Sequence, residues 1–144
     1  MKLISHRGNL IGRIPQKENT PAYIDAAISS GFDVEVDVWV KSGIIWLGHD
    51  SPETQIDLEW LTHRKNFLWL HAKNSEALEF FIGTDLHYFF HDQDLATITS
   101  KGYVWVYPGN QPIKGTVAVL PELYDDEVLS CIGVCSDNII EYKR

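Results

Sequence analysis

The stretch from Asp33 to Asp37 alternates acidic with β-branched residues, in the order DVEVD. In an extended strand, neighbouring side chains point to opposite faces, so Val34 and Val36 would share one face and the acids the other. Acids are disfavoured in strands, and burying paired carboxylates without a counter-charge is costly. The apolar face is therefore suited to a hydrophobic core, and we expect a divalent cation on the acidic face.

The length and charge of the chain limit the classes of protein to which it can belong. A sequence of 144 residues, 44% hydrophobic and 22% charged, predicts one domain over residues 1–144 with a substantial core. The formal net charge of −8 disfavours a nucleic-acid-binding surface, which requires a basic stripe, and gives no attraction to anionic membranes. No segment resembles a signal peptide or approaches the roughly 20 apolar residues of a membrane span. We therefore predict a cytoplasmic protein.

The two cysteines, Cys131 and Cys135, lie four residues apart in a segment with the character of a strand. In a strand their Cα atoms would be about 13 Å apart, which is too far for a disulfide. We expect two buried free thiols, as is typical of a reducing compartment.

Short β-branched and aromatic segments recur along the chain and predict eight strands. The strands are expected to begin near residues 2, 32, 44, 67, 87, 103, 116 and 131. Helices are predicted between several of them, over residues 21–31, 57–64 and 75–81, with shorter ones at 95–100 and 122–129. This pattern predicts an α/β fold, a compact (β/α)8 TIM-type barrel, in which several helices are trimmed or missing because such barrels usually need about 250 residues.

The polar candidates support a barrel by their positions. Each lies near the C-terminal end of a predicted strand, where barrel enzymes gather their reactive groups. These residues are His6, Glu35, Asp37, His49, His71, Lys73 and His91.

The strands near residues 32 and 44 are too close in sequence to be joined by a helix. If both run parallel, residues 38–42 must return in extended form over about 20 Å. The alternative is an antiparallel hairpin, which we expect to place His49 at the opposite end of the sheet from Asp37.

Four motifs occur in order over about the first fifty residues: His6-Arg7-Gly8, Glu18-Asn19-Thr20, residues 31–38, and Gly48-His49-Asp50. Together they resemble the glycerophosphodiester phosphodiesterases, which belong to the phospholipase-C-like phosphodiesterase barrels. Weaker similarity continues in residues 70–73, where the family has Glu-Ile-Lys, and in residues 134–138, which are similar to its closing strand.

The resemblance implies hydrolysis of a glycerophosphodiester to glycerol 3-phosphate and an alcohol. Phosphodiester hydrolysis needs a base, an acid and stabilisation of charge on the phosphate. By the resemblance, His6 and His49 would be the acid/base pair, and Arg7 and Lys73 would bind the phosphate. Glu18 is expected to pair with Arg7 rather than to contact the substrate.

The resemblance also implies one divalent cation, Mg²⁺, Mn²⁺ or Ca²⁺, bound by Glu35 and Asp37. The third ligand in the family is a carboxylate, but this chain has His71 at that position. An imidazole ligand favours softer ions such as Mn²⁺, Zn²⁺ or Co²⁺ over Ca²⁺. The helical insertion that the family has after its His-Asp motif does not fit within residues 51–55, so a more open site is expected.

Two other functions fit the sequence. The imidazole at His71 and the trimmed scaffold would also suit a catalytically degenerate barrel that binds a phosphorylated ligand or a partner. An enzyme acting on a lysophospholipid headgroup would need an apolar rim, which Trp39 and Trp105 would supply if they face the opening. Missing helices would leave strands uncovered, so Trp39, Trp46 or Trp69 would be buried in a homo-oligomer.

A few polar residues have weaker assignments. His91 with Asp92, and Tyr107, are secondary candidates for the pocket. His63, on a charged helix, and His87, at a strand start, are expected at the surface.

Overall fold

The structure is a computed structural model that describes residues 1–143. Its three α-helices are α1 (Pro21–Ser29), α2 (Leu58–His63) and α3 (Ser75–Phe81). Its strands are β1 (Lys2–His6), β2 (Asp33–Lys41), β3 (Ile44–Leu47), β4 (Thr54–Ile56), β5 (Leu68–Ala72), β6 (Tyr88–Phe89), β7 (Ala96–Ile98), β8 (Val104–Val106), β9 (Val117–Val119) and β10 (Gly133–Ser136). Short 3-10 helices cover Pro121–Leu123 and Ile139–Tyr142.

Eight strands form one curled sheet in the order β6-β5-β2-β1-β10-β9-β8-β7. All neighbours along it are parallel except β7, which runs antiparallel to β8. The register sets His6 beside Glu35, and Asp37 beside His71. The C-terminal ends of β1 and β5, and the middle of β2 between them, therefore bring most of the predicted polar residues together.

The predicted (β/α)8 TIM-type barrel is wrong. The sheet is a curled half-barrel, and within residues 1–143 no α-helix follows α3. The segment 95–100, predicted as a helix, contains β7, because its β-branched Thr97, Ile98 and Thr99 favour a strand. Residues 122–129 hold only the end of a single 3-10 turn. The second half of the chain thus crosses between strands by turns and loops.

The sheet packs on both faces. On the concave face, side chains from six strands form one cluster: Ile4, Trp69, Phe89, Trp105, Val117, Val119 and Cys135. On the other face, residues of β2 and β5 pack against α1, α2 and α3. Trp69 is therefore buried within this chain's own core and not at a subunit interface. His87, expected at the surface, is 5% exposed, and its ring centroid lies 4.1 Å from that of Trp69.

The strands β2 and β3 form an antiparallel hairpin, with Val38 opposite Leu47. The sequence analysis expected such a hairpin to place His49 at the opposite end of the sheet from Asp37. This expectation is wrong, because β2 continues past Asp37 to Lys41 before the chain turns. The returning strand reaches the level of Asp37 again, where the Gly48 N–H donates to the Asp37 carbonyl oxygen at 3.2 Å. His49 therefore arrives beside Asp37 and not at the far end of the sheet.

Within the described residues, no helix has the length and apolar character needed to cross a membrane. Cys131 and Cys135 are both buried and unpaired, as the sequence predicts.

Candidate active and metal site

A cavity of about 350 Å³ opens at the C-terminal ends of the parallel strands. One wall carries the predicted polar residues His6, Arg7, Glu35, His49, His71 and Lys73. The other wall is formed by Phe89, His91, Trp105, Tyr107, Pro108, Val119 and Leu120, with Asp92 at the rim. Asp37 lies behind the polar wall, in contact with several of its members. The structure thus brings all seven predicted site residues together.

Asp37 is the centre of the polar cluster and is 1% exposed. Asn19 holds it twice: the Asn19 Nδ2 donates to Asp37 Oδ2 at 2.9 Å, and the Asp37 backbone N–H donates to Asn19 Oδ1 at 3.0 Å. Arg7 Nε lies 2.9 Å from the same Oδ2, close enough for an ion pair although its N–H is not aimed at the oxygen. Burial opposes ionisation, but His49, His71 and Arg7 outweigh it and hold the pKa of Asp37 well below its ordinary value.

Glu35 lies beside Asp37 and is 2% exposed. Its Oε2 has no hydrogen-bond partner among residues 1–143, and it lies 3.7 Å from His6 Nε2. Burial, followed by the charge of Asp37, raises the pKa of Glu35 well above its ordinary value. Two buried carboxylates with opposite pKa shifts share this site, so a bound cation would stabilise the ionised form of both.

The residues present fit a divalent metal ion. Ligand atoms of Glu35, Asp37 and His71 all lie within 4.8 Å of one another. Glu35 Oε2 and Asp37 Oδ1 are buried and lack hydrogen-bond partners within the described chain, which is unusual for carboxylate oxygens. The cluster contains the carboxylates of Glu18, Glu35, Asp37 and Asp137, and the permanently charged cations paired with them are Arg7, Lys73 and the more exposed Arg13. Formal negative charge is therefore in excess, and a bound cation would reduce it.

His6 is held by a residue that the sequence analysis missed. Its Nδ1 lies 2.7 Å from Oδ1 of Asp137, which also accepts a hydrogen bond from Asn9 Nδ2 at 2.9 Å. Burial disfavours the charged carboxylate, but these contacts outweigh it and lower the pKa of Asp137. An ionised Asp137 accepts the Nδ1 proton of His6. The Nε2 of His6 therefore has a free lone pair on the pocket side.

His49 is held by Arg7. Arg7 Nη2 lies 2.6 Å from His49 Nδ1 and can only donate, so that nitrogen accepts and the ring proton is on Nε2. Arg7 is anchored by Glu18, which accepts from Nη1 at 3.1 Å, as the sequence analysis expected. Gly48 fixes the turn before His49, because a Cβ at this position would lie 1.9 Å from the Ser51 carbonyl oxygen.

His71 is fixed by aromatic stacking. Its ring lies nearly parallel to those of Phe89 and His91, with centroids 4.9 and 4.7 Å away. Its Nδ1 faces Asp37 Oδ1 at 3.2 Å, and Lys73 Nζ lies 3.9 Å from the same oxygen. The ring is thus oriented with a nitrogen toward the two carboxylates.

The residues that orient the site were less visible in the sequence than the site itself. Asn19 belongs to the Glu18-Asn19-Thr20 motif, and Asp137 lies in the segment 134–138 that resembles the family's closing strand, but the sequence gives neither residue a role in orienting the site. The signal for Asp137 was its position directly after β10, since β10 pairs with β1 and ends beside His6. Comparisons with known protein families, with characterised proteins and with solved structures find no match. The family resemblance therefore stays a prediction.

Proposed function

We propose that this protein is a metal-dependent phosphodiesterase that hydrolyses a glycerophosphodiester, or a similar small diester, to glycerol 3-phosphate and an alcohol. The observation that most directly supports this function is the position of two unpartnered carboxylate oxygens, on Glu35 and Asp37, beside two oriented histidines. Metal ligands, acid/base groups and cationic side chains are the components that this reaction requires.

Glu35, Asp37 and His71 would hold the ion. When bound, a divalent cation supplies positive charge to a non-bridging phosphate oxygen. Two carboxylates and one imidazole are suitable for Mg²⁺ or Mn²⁺, and the imidazole favours Mn²⁺, Zn²⁺ or Co²⁺ over Ca²⁺.

His6 is assigned as the base. Asp137 fixes its Nδ1–H, so its Nε2 is left with a lone pair that can take a proton from the attacking water molecule. The buried, ionised Asp137 would stabilise the imidazolium that results, as a carboxylate does in other His-Asp pairs.

His49 is assigned as the acid. Arg7 now donates to its Nδ1, and when Arg7 turns toward the phosphate that nitrogen is free to take a proton. The Asp37 Oδ2, 3.6 Å from His49 Nδ1, would stabilise the charged ring. The protonated ring could then donate to the departing alcohol.

Arg7 and Lys73 are assigned to the phosphate. The guanidinium group can bind two phosphate oxygens at once, and the ammonium group adds a point charge. Both side chains line the cavity on the same wall as the two histidines.

The test is product release by purified protein with Mn²⁺ or Mg²⁺ from glycerophosphocholine or bis(p-nitrophenyl) phosphate. His6→Ala, His49→Ala and Glu35→Gln should each reduce turnover by at least about 100-fold. His63→Ala is the matched control, since His63 is exposed on α2 and lies outside the cavity. Absence of turnover on any diester across a metal screen would refute the proposal.

Binding of a phosphorylated ligand without turnover is the alternative. One observation favours it: all three guanidinium nitrogens of Arg7 lie within 3.1 Å of protein atoms, on Asp37, Glu18 and His49. In that case, a phosphate ester would bind with equal affinity to the wild type and His6→Ala, and no product would form.

A further inference from the structure

The two walls of the cavity differ in chemistry. The wall at the ends of β1 and β5 and the middle of β2 holds the charged and ionisable side chains described above. The wall at the ends of β6, β8 and β9 is mostly apolar, and we call it the apolar wall: Phe89, Trp105, Tyr107, Pro108, Val119 and Leu120.

The apolar wall and the ring of His91 beside it offer a ligand few hydrogen-bonding groups. The Tyr107 hydroxyl donates to the backbone oxygen of Asp92. The His91 Nδ1 is buried without a hydrogen-bond partner in the described chain, and its ring lies against His71 and Tyr107. Among the described residues lining this side, only Asp92, exposed at the rim, is charged.

Leu120 stands out on this wall because its backbone is left-handed, with φ 45° and ψ 52°. Leucine rarely adopts this conformation, and glycine or asparagine would be the usual choice. The conformation is held by the Leu120 N–H, which donates to the Cys135 carbonyl oxygen at 2.7 Å, and by the buried Pro121 that follows. Backbone strain of this kind concentrates at binding sites. Here the strained residue presents an apolar side chain to the cavity.

We propose that the apolar wall binds the leaving alcohol of the diester and selects an apolar alcohol over a polyol. This inference rests on the proposed function, since it concerns one arm of the same substrate. The retained arm on the charged wall can hydrogen-bond to Lys73, whereas hydroxyls placed on the apolar wall would lose water without gaining partners. An alkyl or aryl group there would instead be removed from water, which is favourable.

The test compares two diesters of glycerol 3-phosphate, one with 2-phenylethanol and one with a second glycerol, on wild-type protein with Mn²⁺. Both leaving groups are primary aliphatic alcohols, so their chemical reactivity is similar. We expect kcat/KM to be at least about tenfold higher for the phenylethyl diester. In Leu120→Gly, which removes the side chain and relieves the left-handed strain, that ratio should fall below about threefold. Leu120→Met should preserve the ratio.

Leu123→Ala is the matched control, because Leu123 is 60% exposed and does not line the cavity. It should leave the ratio of the two kcat/KM values unchanged. A general loss of stability would lower both rates and would not change their ratio. A wild-type ratio near one, or a high ratio that persists in Leu120→Gly, would overturn the proposal.

If neither diester is cleaved, the proposed function fails, and the apolar wall is tested by calorimetry with phenylethyl phosphate and glycerol 3-phosphate. At least about tenfold tighter binding of phenylethyl phosphate, lost in Leu120→Gly, would support the apolar wall as a binding surface. Equal affinities for the two monoesters would overturn it.

Discussion

His6 Nδ1 lies 2.7 Å from Asp137 Oδ1, although the two residues are 131 positions apart in the sequence. They meet because β1 and β10 are neighbouring parallel strands, with Ser5 opposite Ser136 at their ends. A base held in this way has one nitrogen committed to the carboxylate and the other available to the substrate. The pair therefore fixes the tautomer of His6 in which Nδ1 carries the proton and Nε2, on the cavity side, carries none.

Replacing Asp137 with Asn removes the charge while keeping the shape of the side chain. The amide can hydrogen-bond to either tautomer of His6, and it does not stabilise an imidazolium. We expect kcat to fall by at least about 100-fold with little change in KM. Steady-state kinetics of Asp137→Asn tests this. Glu59→Gln is the control, because it removes an exposed charge on α2. A loss of less than about threefold would mean that Asp137 does not orient the base.

Asn19 is expected to control metal affinity through Asp37. Removing its side chain frees the Asp37 carboxylate to turn, and loss of a group that orients a ligand typically weakens metal binding by about 10–100-fold. Asn19→Gly is the appropriate variant because Asn19 has φ 58°, which glycine adopts without strain. Calorimetric titration with Mn²⁺ measures the change. Thr20→Ala is the control, since the Thr20 hydroxyl donates to the Lys17 carbonyl oxygen at 2.6 Å. Equal affinities in the two variants would contradict the assignment.

Gly48 is expected to be indispensable to the position of His49. A Cβ at Gly48 would lie 1.9 Å from the Ser51 carbonyl oxygen, so Gly48→Ala must displace the turn. Gly43→Ala, where φ is 77° and no heavy atom lies within 4 Å of the added Cβ, should cost only about 1 kcal/mol of stability. Urea denaturation and activity assays should show a larger loss of stability and of activity for Gly48→Ala than for Gly43→Ala. If both retain wild-type activity, the turn at Gly48 does not position a catalytic group.

His87 should make the fold less stable in mild acid. Burial, with smaller contributions from Lys101 and Lys2, lowers the pKa of His87 from 6.5 to about 4. Between these values the unfolded chain binds a proton that the folded chain does not, so stability falls as pH decreases from about 6.5 to 4. The loss due to this residue is up to about 3 kcal/mol.

The matched variant is His87→Gln, which cannot titrate and can still bond to Thr99, the present partner of His87 Nε2 at 2.7 Å. Urea unfolding at pH 7 and pH 4.5 should show a smaller loss of stability for His87→Gln than for the wild type. Identical losses would show that His87 is not the group responsible.

The positions of eight of the ten strands could be predicted from sequence, because their residues alternate acidic with β-branched side chains, as in residues 33–37, or are largely apolar and aromatic, as in residues 68–72. The curled half-barrel could not be predicted, because strand count does not determine which segments between strands become helices. The short strand β4, at Thr54–Ile56, was missed because it is stabilised by pairing with β3 more than by its own pattern. The position of His49 could not be predicted for a similar reason. It depends on how far β2 extends before the chain turns, and that length is set by the pairing of β2 with β3.

The residues that would react were easier to predict than those that orient them. His6 lies at the end of β1, His49 follows β3, and Glu35 lies within β2. All three have distinctive chemistry, and the structure places them in one cavity. Asn19 and Asp137 are ordinary loop residues in sequence, and their roles appear only when distant strands bring them to Asp37 and His6. The chemical type of a reacting residue can be read from the sequence, whereas the residues that orient it are known only once the fold brings them together.

The most direct test of the proposed metal-dependent phosphodiesterase is a Mn²⁺ titration in which metal binding and hydrolysis of a glycerophosphodiester are measured on the same preparation. The structure predicts about one ion per chain, turnover that rises with occupancy, and loss of both in Glu35→Gln. Metal-independent turnover, or a protein that binds no ion at Glu35 and Asp37 and cleaves no diester, would contradict it.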